Sequence, residues 1–201
     1  MSLDNQNLPT QIIERSLGAG RLTTGDEKYR VDSHPIPVSA KPNNINEISA
    51  LMKEAHAHDV TVMPVGGGTR LSLGNTAQAP GIALDTTGLN KPVSINSADL
   101  TATFEAGMTL AEVQNVLAEN SQFLAMDAAL SEKATIGGML ASGTSGPLKW
   151  QYGNPRDLVI GMKVVQPDGT ITKSGGQVVK NVSGYDMARL HIGGIGTLGI
   201  I

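Results

Sequence analysis

Three consecutive glycines, Gly66, Gly67 and Gly68, stand directly behind the apolar, β-branched run Val60-Thr61-Val62-Met63. A strand that runs out into residues without a Cβ brings bare backbone to a place where side chains would otherwise stand. Two readings of the triplet are open. It is a tight connection that needs positive φ, or its successive N–H groups form a concave nest for an anion, with Thr69 and Arg70 adding a hydroxyl and a fixed positive charge. On the second reading the guest is a phosphate, and the glycines make room for a ligand and not for packing.

Composition removes several alternatives. Net charge is −3 from 15 basic and 18 acidic residues, with no basic run, so neither nucleic acid nor an anionic membrane surface is an expected partner. Aromatic residues make up 3% of the chain, too few for a base-stacking platform. No apolar run approaches a membrane span and no basic-then-apolar leader opens the sequence, so the expected location is cytoplasmic. With no cysteine, the chain has no disulfide, thiolate metal site, cluster ligand or cysteinyl cofactor link. His56 and His58 point to different faces of one helix, and His34 and His191 stand alone, so no metal site is expected.

Along the chain, residues 1–29 are polar and weakly patterned apart from Ile12-Ile13 and Leu17, and read as an arm or a short helix. His34-Pro35-Ile36-Pro37-Val38 is extended, since each proline pushes its predecessor out of the α region. Ile45, Ile48, Leu51, Met52 and Ala55 recur at helical spacing behind the cap candidates Asn43 and Asn44. A strand over 60–65 leads into the glycine triplet, and 81–85 forms another. Residues 89–93 read as a connection, 101–105 as a strand, and Thr109 with Glu112 as a capping box ahead of Leu110, Val113, Val116 and Leu117. Beyond residue 130 lie 14 of the 24 glycines. There Thr135-Ile136-Gly137-Gly138 through Ala141-Ser142 to Gly146 reads as a second small-residue loop, structural or ligand-facing. Residues 157–166 read as a strand, Pro167-Asp168-Gly169 as a hairpin turn and Ile171-Thr172 as its return. A short helix through Leu190 and an apolar final strand complete the expectation.

Neither common nucleotide motif survives inspection. Gly194, Gly196 and Gly199 spell G-x-G-x-x-G but have no helix or acidic residue after them, and no Gly-Lys-Ser/Thr follows Gly68.

The ordered set Val65-Gly66-Gly67-Gly68-Thr69, Thr135-Ile136-Gly137-Gly138 with Ala141, Tyr152-Gly153, Arg156-Asp157, Gly161, Gly175-Gly176, Lys180-Asn181, Gly184-Tyr185-Asp186 and Gly196-Thr197-Leu198-Gly199-Ile200-Ile201 resembles the FAD-binding domain of the vanillyl-alcohol oxidase/p-cresol methylhydroxylase flavoproteins. Within that group, Ser145-Gly146-Pro147 and the stretch 176–190 are most similar to the FAD-binding subunits of bacterial glycolate oxidases. The resemblance implies an α+β, two-subdomain FAD-binding domain of the p-cresol methylhydroxylase type over 30–201, divided near residue 95, with FAD between the subdomains and no substrate-binding cap domain.

It also implies that Val65, Gly66, Gly67, Gly68, Thr69 and Arg70 cradle one side of the pyrophosphate and Thr135, Ile136, Gly137 and Gly138 the other, with Ala141, Ser142, Gly146, Gly199 and Ile200 along the rest of the cofactor. FAD is expected to be noncovalent, since no histidine lies between residues 59 and 190. For Arg156-Asp157 an ion pair and a flavin role remain open, and for Gly184-Tyr185-Asp186 a turn into a helix cap. Similar proteins often have proline where Asp127 and Ala128 stand. Lys149 and Arg156 are candidates for positive charge near the flavin, and no catalytic base is identified.

The function implied is that of an FAD-binding subunit or domain of a 2-hydroxyacid dehydrogenase complex, passing electrons to a larger flavin subunit and an iron–sulfur subunit, and peripheral to the inner membrane through them. The alternatives are a scaffold subunit whose FAD is structural or absent, and a flavin oxidoreductase of the same fold with another substrate.

Overall fold

The computed structural model describes residues 4–24, 29–31, 34–75, 81–176 and 186–201. Its first half is organised on one strand. The chain runs through α1 (Asp4–Leu17), β1 (Leu22–Thr24), the short pair β2 (Arg30–Val31) and β3 (His34–Pro35), β4 (Val38–Ala40), α2 (Ile45–Ala57), β5 (Val62–Val65) and β6 (Ile82–Asp85). The sheet order is β1-β4-β6-β5, with β6 parallel to both β4 and β5 and β1 antiparallel on the edge. All four residues of β6 are buried, as expected of a central parallel strand covered on both faces.

Side chains alternate across a strand, so β6 feeds two cores. Ile82 and Leu84 join Ile48, Leu51 and Ala55 of α2 and Ile12 and Ile13 of α1, while Ala83 joins Tyr29, Ile36 and Val65 on the other face. Of the two readings of the stretch 1–29, residues 4–17 take the helical one, packed into the core. Ile12 and Ile13 are fully buried, each contributing ~1.5–3 kcal/mol by removal from water. Helix α2 begins where its cap candidates stand: Asn44 Oδ1 accepts from the Glu47 N–H at 2.9 Å, and the Glu47 carboxylate accepts from the Asn43 N–H at 2.8 Å.

The second half holds β7 (Pro92–Asn96), β8 (Thr101–Phe104), α3 (Leu110–Ala118), α4 (Ile136–Ser142), α5 (Lys149–Tyr152), α6 (Pro155–Leu158), β9 (Gly161–Val165), β10 (Ile171–Gly175) and α7 (Ala188–His191). The capping box of α3 is formed, and Leu110, Val113 and Leu117 are its buried face. Four expectations are corrected. Residues 92–96 are a strand paired with β8 through a bulge, because Pro92 sits at the strand start, where a missing N–H is tolerated. The stretch 136–142 is a helix and not a loop. Residues 155–158 form a helical turn ahead of β9, capped by Asp157. The final segment makes a single antiparallel bridge, Ile200 with Val165, in place of a strand. Among the described residues this half carries two separate two-stranded ribbons, β7-β8 and β9-β10, rather than one larger sheet.

Among the described residues, β9 and its hairpin join the halves in two ways. Val165 and Ile200 exchange backbone hydrogen bonds of 2.8 and 2.9 Å, and both side chains enter the core built on α1, α2 and β6. The turn of the β9-β10 hairpin seats on α2, where the Ser49 hydroxyl donates to the Gly169 carbonyl at 2.6 Å. Gly169 has φ +85°, and a Cβ there would lie 2.6 Å from the Ser49 carbonyl oxygen.

Candidate functional site

Strand β5 ends on Val65, which is buried, and releases the chain into the glycine triplet. The triplet lies against the approach to α4. A Cβ on Gly66 would stand 2.2 Å from Thr135 Oγ1, and one on Gly67 would stand 1.6 Å from the Lys133 carbonyl oxygen. These two glycines make room for backbone and a buried threonine, which corrects the expectation that they make room only for a ligand. Gly68 differs: its φ is +70° and its nearest neighbour would be a Leu71 methyl at 3.8 Å. Among the described residues, no group accepts from the N–H of Gly67, Gly68 or Thr69. Arg70 is exposed and has no ion-pair partner among the described residues.

The second segment is satisfied internally. Thr135 is buried and caps α4, accepting from the Gly138 N–H at 3.2 Å. The Ile136 N–H donates to the Met108 carbonyl at 2.9 Å and the Gly137 N–H to the Ala106 carbonyl at 2.8 Å. A Cβ on Gly137 would press on Ala106 at 2.9 Å. Its N–H groups are thus committed to the protein, and the donors for an anion are left on the first segment.

Between the two segments is a cleft of about 250 Å³, lined on one side by Thr69, Arg70, Ser72 and Leu73 and on the other by residues 128–130, Ala134, Gly138, Met139, Ser142 and Thr144. It is smaller than the ~300–1,000 Å³ pockets that enclose a whole drug-sized ligand. The structure therefore brings Thr69, Arg70, Gly138 and Ser142 together. Ala141 is half-buried beside them and its carbonyl accepts from the Ile195 N–H at 2.7 Å, tying the end of α4 to the turn after α7.

The remaining expected residues lie elsewhere. A Cβ on Gly146 would meet Asp127 at 2.4 Å, and the Asp127 carboxylate accepts from the Leu148 N–H at 2.8 Å, so the acid fills the room the glycine leaves. Gly199 lies against β9, where a Cβ would stand 2.7 Å from Val164, and Ile200 is in the core. Arg156 and Asp157 do not pair with each other. Arg156 donates to the Ile192 carbonyl at 3.2 Å, and Asp157 accepts from the Asn154 N–H at 2.8 Å. Lys149 stands 5.4 Å over the ring of Trp150. Asp186 pairs with Arg189 at 2.8 Å at the start of α7, while Lys180, Asn181, Gly184 and Tyr185 lie outside the described residues.

Residues missed by the sequence reading are the wall at 128–130 and the Lys133 carbonyl. Ala128, Ala129 and Leu130 carry no chemical signal of their own, and a carbonyl carries none at all. Among the described residues two titrations are displaced. Burial holds His191 below the ordinary imidazole range, and the Thr170 N–H and hydroxyl hold Asp168 below the usual carboxylate range.

The model of the family described as FAD binding domain matches residues 36–175, a stretch that contains both segments of the cleft. The chain belongs to this FAD binding domain family. Its relatives in the family include the D-2-hydroxyglutarate dehydrogenase of Xanthomonas citri pv. viticola, 39% identical over 88% of this chain and 37% of that protein. The glycolate oxidase subunit GlcD of Bacillus subtilis is 35% identical over 91% of this chain and 39% of its own length. This FAD binding domain chain thus spans about two-fifths of those relatives. Among solved structures, an alkyldihydroxyacetonephosphate synthase superposes with TM-score 0.70 at 25% identity, covering 82% of this chain and 32% of its own. A variant of Phl p 4, a glucose dehydrogenase, superposes with TM-score 0.76 over 96% of this chain and 42% of its own, at 19% identity, a likeness of fold. Among the described residues no helix is long and apolar enough to cross a membrane.

Proposed function

We propose that the chain is the FAD-holding subunit or domain of a 2-hydroxyacid dehydrogenase of the glycolate oxidase kind. The observation that carries this reading is the run of N–H groups at Gly67, Gly68 and Thr69 without acceptors among the described residues, next to Arg70 on a cleft with small residues opposite. Such a run is an acceptor-seeking concavity, and an anion such as a pyrophosphate satisfies several of its members at once. The cleft's volume suits that phosphate-bearing portion of the cofactor, with the rest extending past it.

When bound, FAD supplies the two-electron acceptor for oxidation of the substrate carbinol. The chain's own part is to hold and orient. Gly67, Gly68 and Thr69 donate to phosphate oxygens, Arg70 balances their charge, and Gly138 and Ser142 let the cofactor lie close to α4. Attachment is noncovalent, since the chain has no cysteine and no histidine near the first segment. The 2-hydroxyacid class rests on the printed activities of the relatives, D-2-hydroxyglutarate dehydrogenase and a glycolate oxidase subunit. A chain without cysteine ligates no iron–sulfur cluster of its own, so onward electron transfer falls to a larger flavin subunit and an iron–sulfur subunit.

The test is the visible absorption spectrum of the purified chain, followed by acid precipitation. Flavin bands whose colour passes wholly to the supernatant, and chromatographic identity with FAD, are the expected result. A colourless chain that takes up no added FAD would overturn the reading in favour of a scaffold subunit, and flavin retained in the pellet would overturn the noncovalent assignment.

A further inference from the structure

The cleft's far wall has no ladder to hold it. Residues 122–130 run from α3 toward α4 outside any helix or strand, yet 128–130 face Thr69 and Arg70 across the cleft. Backbone of this kind is located by the side chains that take its N–H and C=O groups.

Among the described residues one side chain does so at Leu124. The Gln114 amide on α3 lies against the peptide units of Leu124 as a rung of sheet would: its Nε2 donates to the Leu124 carbonyl at 2.7 Å, and the Leu124 N–H donates back to its Oε1 at 2.9 Å. Further along, the segment's own Asp127 side chain accepts from the Leu148 N–H. At the far end the Leu130 carbonyl accepts from the Lys133 and Ala134 N–H groups at 2.9 and 2.7 Å, so Leu124 is the point where a side chain sets the path between. Leu124 packs between two hydrophobic clusters, those of Leu110 with Met139 and of Val113 with Leu117. Gln114 is one residue after the fully buried Val113, so the rung inherits the fixed position of the helix.

We propose that Gln114 is a positioning residue for the cofactor: by clamping Leu124 it sets the wall at Ala128, Ala129 and Leu130, and through that wall the affinity for FAD. This rests on the FAD reading above. Gln114 does not line the cleft, so it acts through the segment and not on the ligand.

The chemistry of the clamp makes the test specific. Methionine at 114 fills similar volume but leaves the Leu124 N–H without an acceptor and its carbonyl with only the Met126 N–H. Glutamate at 114 still accepts from the N–H, but as a carboxylate it turns a second anionic oxygen on the Leu124 carbonyl. Once protonated, it donates there again, and its half-buried place beside a carbonyl raises its pKa.

FAD is titrated into the purified apo chain and followed by flavin fluorescence, well below each variant's unfolding midpoint, at about pH 8 and about pH 5. Gln114→Met is expected to bind at least about tenfold more weakly than wild type at both pH values, the scale of losing one or two buried hydrogen bonds. Gln114→Glu is expected to be comparably weak at the higher pH and to return to within about threefold of wild type at the lower. If wild type binds FAD and both variants match it, the proposal is overturned. So it is if Gln114→Glu is weak without regard to pH, since general loosening of the fold would not follow protonation of one side chain. A wild-type chain that binds no FAD overturns the cofactor reading itself, and this inference with it. Should Gln114→Met not fold, the two-pH comparison within Gln114→Glu decides alone.

Discussion

Gly67 lies so close to the carbonyl of Lys133 that a Cβ on it would stand 1.6 Å from the oxygen. The two segments flanking the cleft are therefore in backbone contact at its floor. Gly67→Ala is expected to force them apart, lowering stability by about 2–3 kcal/mol or more and weakening FAD together with it. Gly68→Ala meets only a Leu71 methyl at ordinary contact distance and pays for positive φ, about 1 kcal/mol. Denaturant unfolding of the two variants separates these costs. Equal midpoints would refute the difference between neighbouring glycines.

Arg70 is expected to matter for the ligand and not for the fold. Removing an exposed guanidinium without an ion-pair partner among the described residues leaves the core untouched. Arg70→Ala should leave the unfolding midpoint in place while lowering FAD affinity by about 1.5–3 kcal/mol, with less salt dependence than wild type. Titrations at low and high ionic strength check both statements.

Thr135 has the opposite character. Its hydroxyl caps α4 within a fully packed surrounding, so Thr135→Val leaves the Gly138 N–H without its partner and is expected to cost about 1–2 kcal/mol. Thr135→Ser keeps the oxygen and should recover most of the loss in thermal unfolding.

How much of this was legible in the sequence depended on how local the cause was. Helices α2 and α3 were readable because caps and apolar stripe sit within a dozen residues, and the β9-β10 turn because Pro167-Asp168-Gly169 names its own geometry. Helix α4 was hidden by Gly137 and Gly138, each a helix-weakening residue at about 1 kcal/mol. Gly137 is there because Ala106 leaves no room for a Cβ, a fact of tertiary contact. Helix α1 was left open between an arm and a short helix by its polar composition, which gave no sign that Ile12 and Ile13 are fully buried. The glycine triplet was recognised, but not its neighbour: nothing near Gly67 announces Lys133, and the wall at 128–130 consists of alanines and a leucine.

His191 gives a pH dependence with a defined sign. It is buried, and that burial holds its folded pKa below the ordinary imidazole value of about 6.5. The unfolded chain then binds the proton first as pH falls, so the stabilisation is complete above that value and is lost as pH drops through the folded pKa. Stability is expected to decline below about pH 6.5, and His191→Gln should flatten that part of the profile. An unchanged slope in the variant would assign the decline to other groups.

Ile12 and Ile13 near one end of the chain share a core with Val165 and Ile200 near the other. A chain emerging from the ribosome can form β4, α2, β5 and β6, but it cannot seal that core until Val165 and Ile200 have emerged. Arrested nascent chains that stop short of Val165 should remain open to protease along α1, and resistance should arrive late and all at once. Closure of this core thus waits on Val165 and Ile200, however early α1 and α2 take shape.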